Sequence, residues 1–360
     1  MKVHLRHCII EGEIIEDSDM KRVLPFLLSA VMLLSACAGE KTQQAPTLSV
    51  QPTAQTTTEY PTQPVAGIAA IDHCVVEPDE RAAMSESDRE QYRVLMDAML
   101  SRAPSVTLNT EASRMDFLLE LLRESPYFFF TSDVSVTVTT VGFSYAYSAD
   151  KQRRILAFMD EALLDIANHD ASPDDNALDT ILKVYAAVGS RIDYDTDRED
   201  NKQLGSPLFD YPADELYKAL RDHKSLCYGF AYVLRYALLQ RRIDAFCVYG
   251  QCTAREMGHE WVVFRYDGAY FHCDPAWDRG DGTAKLMHFG TTDLEREQDT
   301  LLPRAFSDYH AGEYVVVCDD ERFSIFRGVV SYSYLDGHRF LLEDRKGNRT
   351  VFNTEDFLLS

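Results

Sequence analysis

The segment 260–273 predicts an antiparallel β-hairpin, and this feature constrains the fold more than any other in the chain. Asp267-Gly268 is a strong signal for a two-residue hairpin turn. Strand-forming aromatic and β-branched side chains stand on both sides of it. With these two residues as the turn, Tyr266 pairs with Ala269, so the chain contains at least one antiparallel sheet.

The open end of this hairpin carries an imidazole and a carboxyl group. In the register set by the turn, Trp261 falls opposite Asp274, and His259 and Asp274 become diagonal neighbours on one face. A slip of one residue would put them on opposite faces. We therefore expect Asp274 to hold the imidazole of His259 in one tautomer. By strand alternation His272 is an alternative base, and Asp278 is an alternative to Asp274 as the residue that orients the base.

A helix is predicted to begin at Cys227, upstream of the hairpin. Its apolar residues recur at helical spacing, namely Phe230, Val233, Leu234, Ala237 and Leu238. Ser225 is the expected N-cap. Gly229 lowers helix propensity in the first turn. We expect a glycine at this position because backbone or substrate must approach closely there. A helix N-terminus stabilises a thiolate, so Cys227 is the predicted nucleophile and His259 its base.

These residues resemble the transglutaminase-like superfamily of papain-like cysteine enzymes, in its bacterial lipoprotein branch. The matching segments are Cys227-Tyr228-Gly229-Phe230-Ala231, His259-Glu260-Trp261 and Asp274-Pro275, with Ile192-Asp193-Tyr194-Asp195 upstream. The resemblance covers roughly residues 175–290. It implies an α+β fold with a papain-like core, in which the helix that bears the cysteine packs on an antiparallel sheet. It also implies acyl transfer through a thioester, with no metal and no organic cofactor.

The chain departs from the family pattern at two places. Glu260 puts a charge beside the predicted base, where the family more often has a small residue. No tryptophan precedes Cys227, although transglutaminases place an aromatic N–H donor near the oxyanion. Tyr194 is the candidate oxyanion residue in its place, and a purely packing role is the alternative. The backbone N–H of Cys227 is the other expected donor.

The N-terminal part predicts export and lipid anchoring. Residues 20–36 have two basic residues and then an apolar run of about 14 residues, the layout of a secretory signal peptide. A membrane-spanning helix needs about 20 apolar residues, so a transmembrane anchor is the weaker interpretation. The stretch 34–37 resembles a lipoprotein cleavage box, which makes Cys37 the lipidation site. Residues 1–19 are acidic and are interpreted as an extension ahead of the true start at Met20.

The remaining chain divides into four predicted regions. Residues 37–75 are rich in Thr, Gln and Pro and form a flexible tether. An N-terminal α/β extension follows over 76–170, then the catalytic domain over 171–310 and a small β-rich appendage over 311–360. We expect a monomer on the outer side of a bacterial cell membrane, held there by its lipid.

Net charge and cysteine content limit the classes of ligand and metal site that the chain is expected to have. The net charge is −22, which argues against nucleic acid and against anionic lipid beyond the anchor. No Cys-x-x-Cys motif occurs, so a zinc or redox site is unsupported. Most thiols are expected to be reduced and buried, with one disulfide left open among Cys247, Cys252 and Cys273.

The leading hypothesis is a lipid-anchored extracytoplasmic cysteine hydrolase that acts on an amide of a protein or peptide, peptidoglycan stem peptides included. The second hypothesis is a protein-glutamine acyltransferase, because hydrolysis and acyl transfer share the acyl-enzyme intermediate. A non-catalytic surface protein that uses the same fold for binding is the third.

Overall fold

The computed structural model describes residues 67–200, 214–252, 257–279, 284–298, 300–301 and 316–358. Its central element is a five-stranded antiparallel sheet. The strands are β6 (Ala245–Cys252), β7 (Met257–Tyr266), β8 (Ala269–Cys273), β9 (Phe289–Thr291) and β10 (Thr300–Leu301). They lie in the order β10-β6-β7-β8-β9. Tyr266 pairs with Ala269 across the turn, which confirms the predicted hairpin register.

One helix, α8 (Cys227–Gln240), packs on this sheet through contacts with β6 and β7. Twelve of its residues are buried, because apolar side chains surround it on nearly all sides. The predicted start at Cys227 is confirmed, but the predicted N-cap is wrong. Leu226 occupies the N-cap position and makes no side-chain capping bond. Ser225 ends a two-residue strand, and its buried hydroxyl makes no hydrogen bond among the described residues.

Further helices surround α8 and complete the α+β arrangement. They are α4 (Ala149–Ala167), α5 (Ala177–Arg191) and α7 (Glu215–Asp222), each in contact with α8. Asn176 caps α5 by accepting from the backbone N–H of Asp179. After α5 the chain forms β4 (Asp193–Tyr194), which pairs in parallel with β5 (Lys224–Ser225), and then α6 (Thr196–Asp200). This parallel pair ties the end of α5 to the start of α8.

The residues before α4 form helices and a small sheet. The helices are α1 (Pro78–Ala83), α2 (Glu86–Leu100) and α3 (Ala112–Glu124), and a 3₁₀ turn covers Phe128–Phe130. The strands β1 (Ser105–Thr107), β2 (Thr131–Thr137) and β3 (Thr140–Tyr145) pair antiparallel in the order β1-β3-β2. Side chains from α2 and α3 join the same buried cluster as those of α5 and α8. This region therefore shares its core with the predicted catalytic part.

The C-terminal part of the described chain is β-rich. Its antiparallel sheet contains β11 (Val329–Asp336), β12 (Arg339–Asp344) and β13 (Arg349–Asn353). Short helices lie before and after it, and they are α9 (Pro275–Asp278), α10 (Asp293–Arg296), a 3₁₀ helix (Arg322–Phe326) and α11 (Thr354–Leu358). Tyr332 and Phe340 are buried in the main core, so this sheet packs on the rest of the molecule.

Residues 67–75 differ from the predicted tether. The Ile68 backbone exchanges two hydrogen bonds of 2.9 Å with the Asn168 side chain. The backbone N–H of Asp72 donates to Gln240, and Cys74 packs against the core. The polar composition upstream gave no sign of these contacts, because they depend on side chains far away in sequence. Cys37 and the predicted signal peptide lie outside the described residues.

All six cysteines among the described residues are free thiols, and four of them are buried. The disulfide left open among Cys247, Cys252 and Cys273 is not formed. Within the described part of the chain, no helix has both the length and the apolar character that crossing a membrane requires.

Candidate active site

The imidazole of His259 and the carboxylate of Asp274 meet at the open end of the β7–β8 hairpin. His259 Nε2 lies 2.5 Å from Asp274 Oδ2, and both side chains are buried. The backbone N–H of Trp277 donates to Oδ1 at 3.1 Å, since Asp274 caps α9 and Pro275 begins it. The structure thus brings together the two residues that the hairpin register predicted.

The thiol of Cys227 acts on the same imidazole. Burial lowers the pKa of His259, but the Asp274 carboxylate and the Cys227 thiol raise it, and the net result is a pKa of about 10. Because Nε2 faces Asp274, Nδ1 is the ring nitrogen left for the thiol. The three predicted residues therefore form one connected set at the N-terminus of α8.

The first turn of α8 keeps its backbone donors near the thiol. Leu226 offers no side-chain cap, and the Gly229 N–H donates to the Leu226 carbonyl at 3.1 Å, so the Cys227 and Tyr228 N–H groups are the donors in question. These groups and the helix dipole favour negative charge on the Cys227 sulfur or on an oxygen beside it.

Gly229 is required by a close approach within this turn. A Cβ at this position would lie 1.9 Å from Ser225 Oγ and 2.5 Å from Ser225 Cβ. Rotating the hydroxyl relieves the first contact and leaves the second. A close approach does occur at Gly229, but the group that comes close is the side chain of Ser225 and not the predicted backbone or substrate.

Sequence reasoning missed Arg296, which contacts the same carboxylate. Its Nη2 donates to Asp274 Oδ2 at 2.7 Å, and its side chain is buried. Burial raises the pKa of Asp274, but His259 and Arg296 outweigh it and hold that pKa well below its usual range. Arg296 lies 22 residues beyond Asp274 on a four-residue helix, so spacing gave no signal for it.

The two alternative residues have other partners. His272 accepts a hydrogen bond from the Trp261 indole at Nδ1 and lies 2.8 Å from Asp293 at Nε2. Asp278 accepts from the Tyr185 hydroxyl and lies 2.9 Å from the His288 ring. Neither reaches the Cys227–His259 pair, because their polar atoms are already used.

Tyr194 lies beside the site, in strand β4. It pairs with Ser225, two residues before Cys227, and the Arg279 guanidinium sits 5.0 Å from the centre of its ring. Its ring also lies 6.4 Å from Phe230, a core residue of α8. These contacts are those of a packing tyrosine beside the start of α8, and the oxyanion role stays a prediction.

Glu260, the departure noted beside the base, is buried next to Arg235 and Cys247. Burial raises the pKa of this carboxyl to about 7, although the Arg235 charge opposes the effect. Its Oε2 atom is buried without a hydrogen-bond partner among the described residues. Glu260 therefore carries its full negative charge only above about pH 7, and its effect on the charge of the site grows as the pH rises through that value.

A second group of polar residues brings three donor atoms within 4.8 Å of one another, from His272, Asp293 and Cys318. The His272 ring does not offer a lone pair to a metal there. Its Nδ1 accepts from Trp261, so Nε2 carries the proton and donates to Asp293. The residues fit a hydrogen-bond relay better than a metal site.

Comparisons with known proteins give little further guidance. No family model matches the chain, and no curated protein matches it. A crystal structure of a TGase is similar at 16% identity over 40% of this chain, with a TM-score of 0.28. A structure described as a candidate cysteine protease from Cytophaga hutchinsonii is similar at 12% identity over 39%, with a TM-score of 0.25. The chain spans 44% and 55% of the length of these two structures.

Proposed function

We propose that this chain is a transglutaminase-like cysteine enzyme that cleaves an amide bond through an acyl-enzyme on Cys227. The observation that carries the proposal is the buried His259–Asp274 pair in contact with a thiol at an uncapped helix N-terminus. A nucleophile, a base and a group that orients the base are what covalent acyl transfer requires.

In the first step the Cys227 thiolate attacks the carbonyl carbon of the amide. The tetrahedral oxyanion is stabilised by backbone N–H groups in the first turn of α8, with Tyr194 as a candidate second donor. The carbon–nitrogen bond then breaks, and the His259 imidazolium gives its Nδ1 proton to the leaving amine. A thioester on Cys227 and neutral His259 remain.

In the second step His259 removes a proton from water, which attacks the thioester. The Cys227 sulfur leaves as a thiolate, the imidazolium is restored, and a carboxylic acid is released. Asp274 keeps its negative charge throughout and holds the ring so that Nδ1 faces the sulfur. Arg296 and the Trp277 N–H hold Asp274 in turn.

The alternative is acyl transfer, in which an amine replaces water in the second step. The same residues serve both reactions, so the two are separated by products. We expect the enzyme to release free acid from dye-labelled peptide amides without added amine. Incorporation of a labelled alkylamine into a glutamine-rich protein, at rates above hydrolysis, would assign the transferase instead.

The test of the proposal is the loss of both products in the variant Cys227→Ala. Cys74→Ala is the matched control, because Cys74 is a partly exposed thiol whose pKa is raised to about 12 by burial and Asp72. We expect the control to keep wild-type rates. Full activity in Cys227→Ala would end the proposal, and a wild type inert on all amides would favour the binding protein.

We also propose that the mature protein is held outside a bacterial cell membrane by a lipid on Cys37. The support is the order of basic residues, apolar run and Cys37 in the sequence. Its substrate is then an extracytoplasmic protein or peptide, peptidoglycan stem peptides included. Labelled palmitate should enter the wild type in bacterial cells and not the variant Cys37→Ala. Equal labelling of both would contradict the anchor.

A further inference from the structure

Arg296 shares one carboxylate oxygen with the candidate base. Asp274 Oδ2 accepts from Arg296 Nη2 at 2.7 Å and lies 2.5 Å from His259 Nε2. The guanidinium is thus separated from the imidazole by a single oxygen atom. A buried cation this close to the His259 ring acts directly on its charge.

The two tryptophans of the chain hold this guanidinium in place. The Arg296 Cζ atom lies 4.2 Å from the ring centre of Trp261 and 4.3 Å from that of Trp277. The Trp277 ring also stacks on His259 at 4.5 Å. Such contacts fix a planar guanidinium in a way that a lysine cannot reproduce.

The short helix α10 contacts this group of residues through both of its ends. Asp293 begins α10 and contacts His272, which accepts from the Trp261 indole. Arg296 ends the same helix and donates to Asp274. The position of α10 therefore determines the position of the carboxylate that orients the base.

Stability alone does not explain a cation at this place. The Nε atom of Arg296 is buried and has no hydrogen-bond partner among the described residues. Burying a charge with incomplete hydrogen bonding costs free energy, and apolar replacements of buried ion pairs are often neutral or stabilising. A role in the chemistry of the site accounts for its presence.

We propose that Arg296 is a positioning residue that fixes the Asp274 carboxylate and sets the pH range in which the thiolate and the imidazolium coexist. This inference rests on the proposed function. A nearby cation favours loss of a proton from the Cys227–His259 pair, whereas the Asp274 anion opposes it. The two residues therefore shift the proton affinity of the pair in opposite directions.

Other titratable groups interact with the three residues from the elements around them. Tyr228 on α8 interacts with Cys227, and Glu260 on β7 interacts with His259. Cys273 on β8, Tyr185 on α5 and His288 interact with Asp274, whereas His272 contacts Trp261 and Asp278 bonds Tyr185 and His288. Each of them is kept in every variant below. A difference between variants therefore reports the charge that was changed.

The experiment measures Cys227 alkylation by iodoacetamide from pH 4 to 10 in the full chain, with the Cys227→Ala background subtracted. We expect the lower midpoint of the profile to rise by about one pH unit in Arg296→Gln. It should stay near the wild-type value in Arg296→Lys, which keeps the charge, and fall in Asp274→Asn. Thermal unfolding of each variant is recorded beside it.

The matched control is Arg327→Gln. Arg327 bonds Glu295 on α10 and the carbonyl of Phe289, so its loss loosens α10 without removing the charge at Asp274. We expect lower stability there and an unchanged midpoint. A midpoint that moves equally in Arg327→Gln and Arg296→Gln would reduce Arg296 to a structural role.

Several outcomes separate the two proposals. A wild type that labels no faster than a free thiol defeats the proposed function itself. Fast wild-type labelling with an unmoved midpoint in folded Arg296→Gln defeats this inference alone. If Arg296→Gln does not fold, the double variant Arg296→Gln/Asp274→Asn removes both charges. Its midpoint should lie above that of Asp274→Asn, and a value equal to that of Asp274→Asn would overturn the inference.

Discussion

Replacing Asp274 by asparagine tests how the charge beside His259 controls the imidazole, because the two side chains have nearly the same shape. Burial alone lowers the pKa of His259, yet the Asp274 and Cys227 groups bring it from 6.5 to about 10. That difference corresponds to about 5 kcal/mol. Two unit charges about 4 Å apart at an effective dielectric constant of about 20 supply about 4 kcal/mol. The carboxylate therefore accounts for most of the shift.

We expect the pKa of His259 to fall by about three units in Asp274→Asn. The asparagine also leaves the Arg296 cation without its counter-charge, which lowers the pKa further. At pH 8 only about a tenth of the imidazole is then protonated and able to serve the leaving amine, so kcat/KM should fall by at least about 10-fold. The assay is an NMR titration of labelled histidine, with His259→Gln to assign the signal.

Asp278→Asn is the control for this change. Asp278 is a buried carboxylate of α9 that bonds Tyr185 and His288 and does not contact His259. Removing the Asp278 charge should leave the pKa of His259 unchanged. A His259 pKa in Asp274→Asn within half a unit of the wild type would refute the reasoning.

Three further predictions concern the groups around the triad. Gly229→Ala should slow Cys227 alkylation at least about tenfold through the clash with Ser225, and adding Ser225→Gly should restore most of the rate. Glu260 has a raised pKa of about 7 against 4.5, so its contribution to stability is full below pH 4.5 and is lost as the pH rises through 7. Urea unfolding should therefore show Glu260→Gln more stable than the wild type by up to about 3 kcal/mol at pH 8. At pH 4 we expect the two proteins to have the same free energy of unfolding. His272→Phe leaves the Trp261 indole unpaired and should cost about 1–3 kcal/mol in the same assay, while fast alkylation persists. Loss of that fast reaction in a folded His272→Phe would make His272 the base.

The part of the site that local patterns determine was predictable. The Asp267-Gly268 turn fixed the register, and the register fixed the diagonal contact between His259 and Asp274. Helical spacing located the start of α8 at Cys227. In each case neighbours in sequence or across one turn settle the geometry.

The part that depends on distant packing was not predictable. Arg296 reaches Asp274 because β9 and α10 bring it back against the two tryptophans, and no local pattern encodes that path. Ser225 has the chemistry of an N-cap, but pairing of β5 with β4 puts it in a strand. The anchoring of Ile68 by Asn168 likewise joins residues 100 positions apart.

The most direct test of the central claim is the pH dependence of Cys227 alkylation in the wild type and in His259→Ala. The account predicts fast labelling well below pH 8 in the wild type, because a thiolate exists there beside the imidazolium. It predicts that this reaction is lost in His259→Ala. Labelling that appears only near the ordinary thiol pKa of about 8.5, and equally in both proteins, would contradict the account.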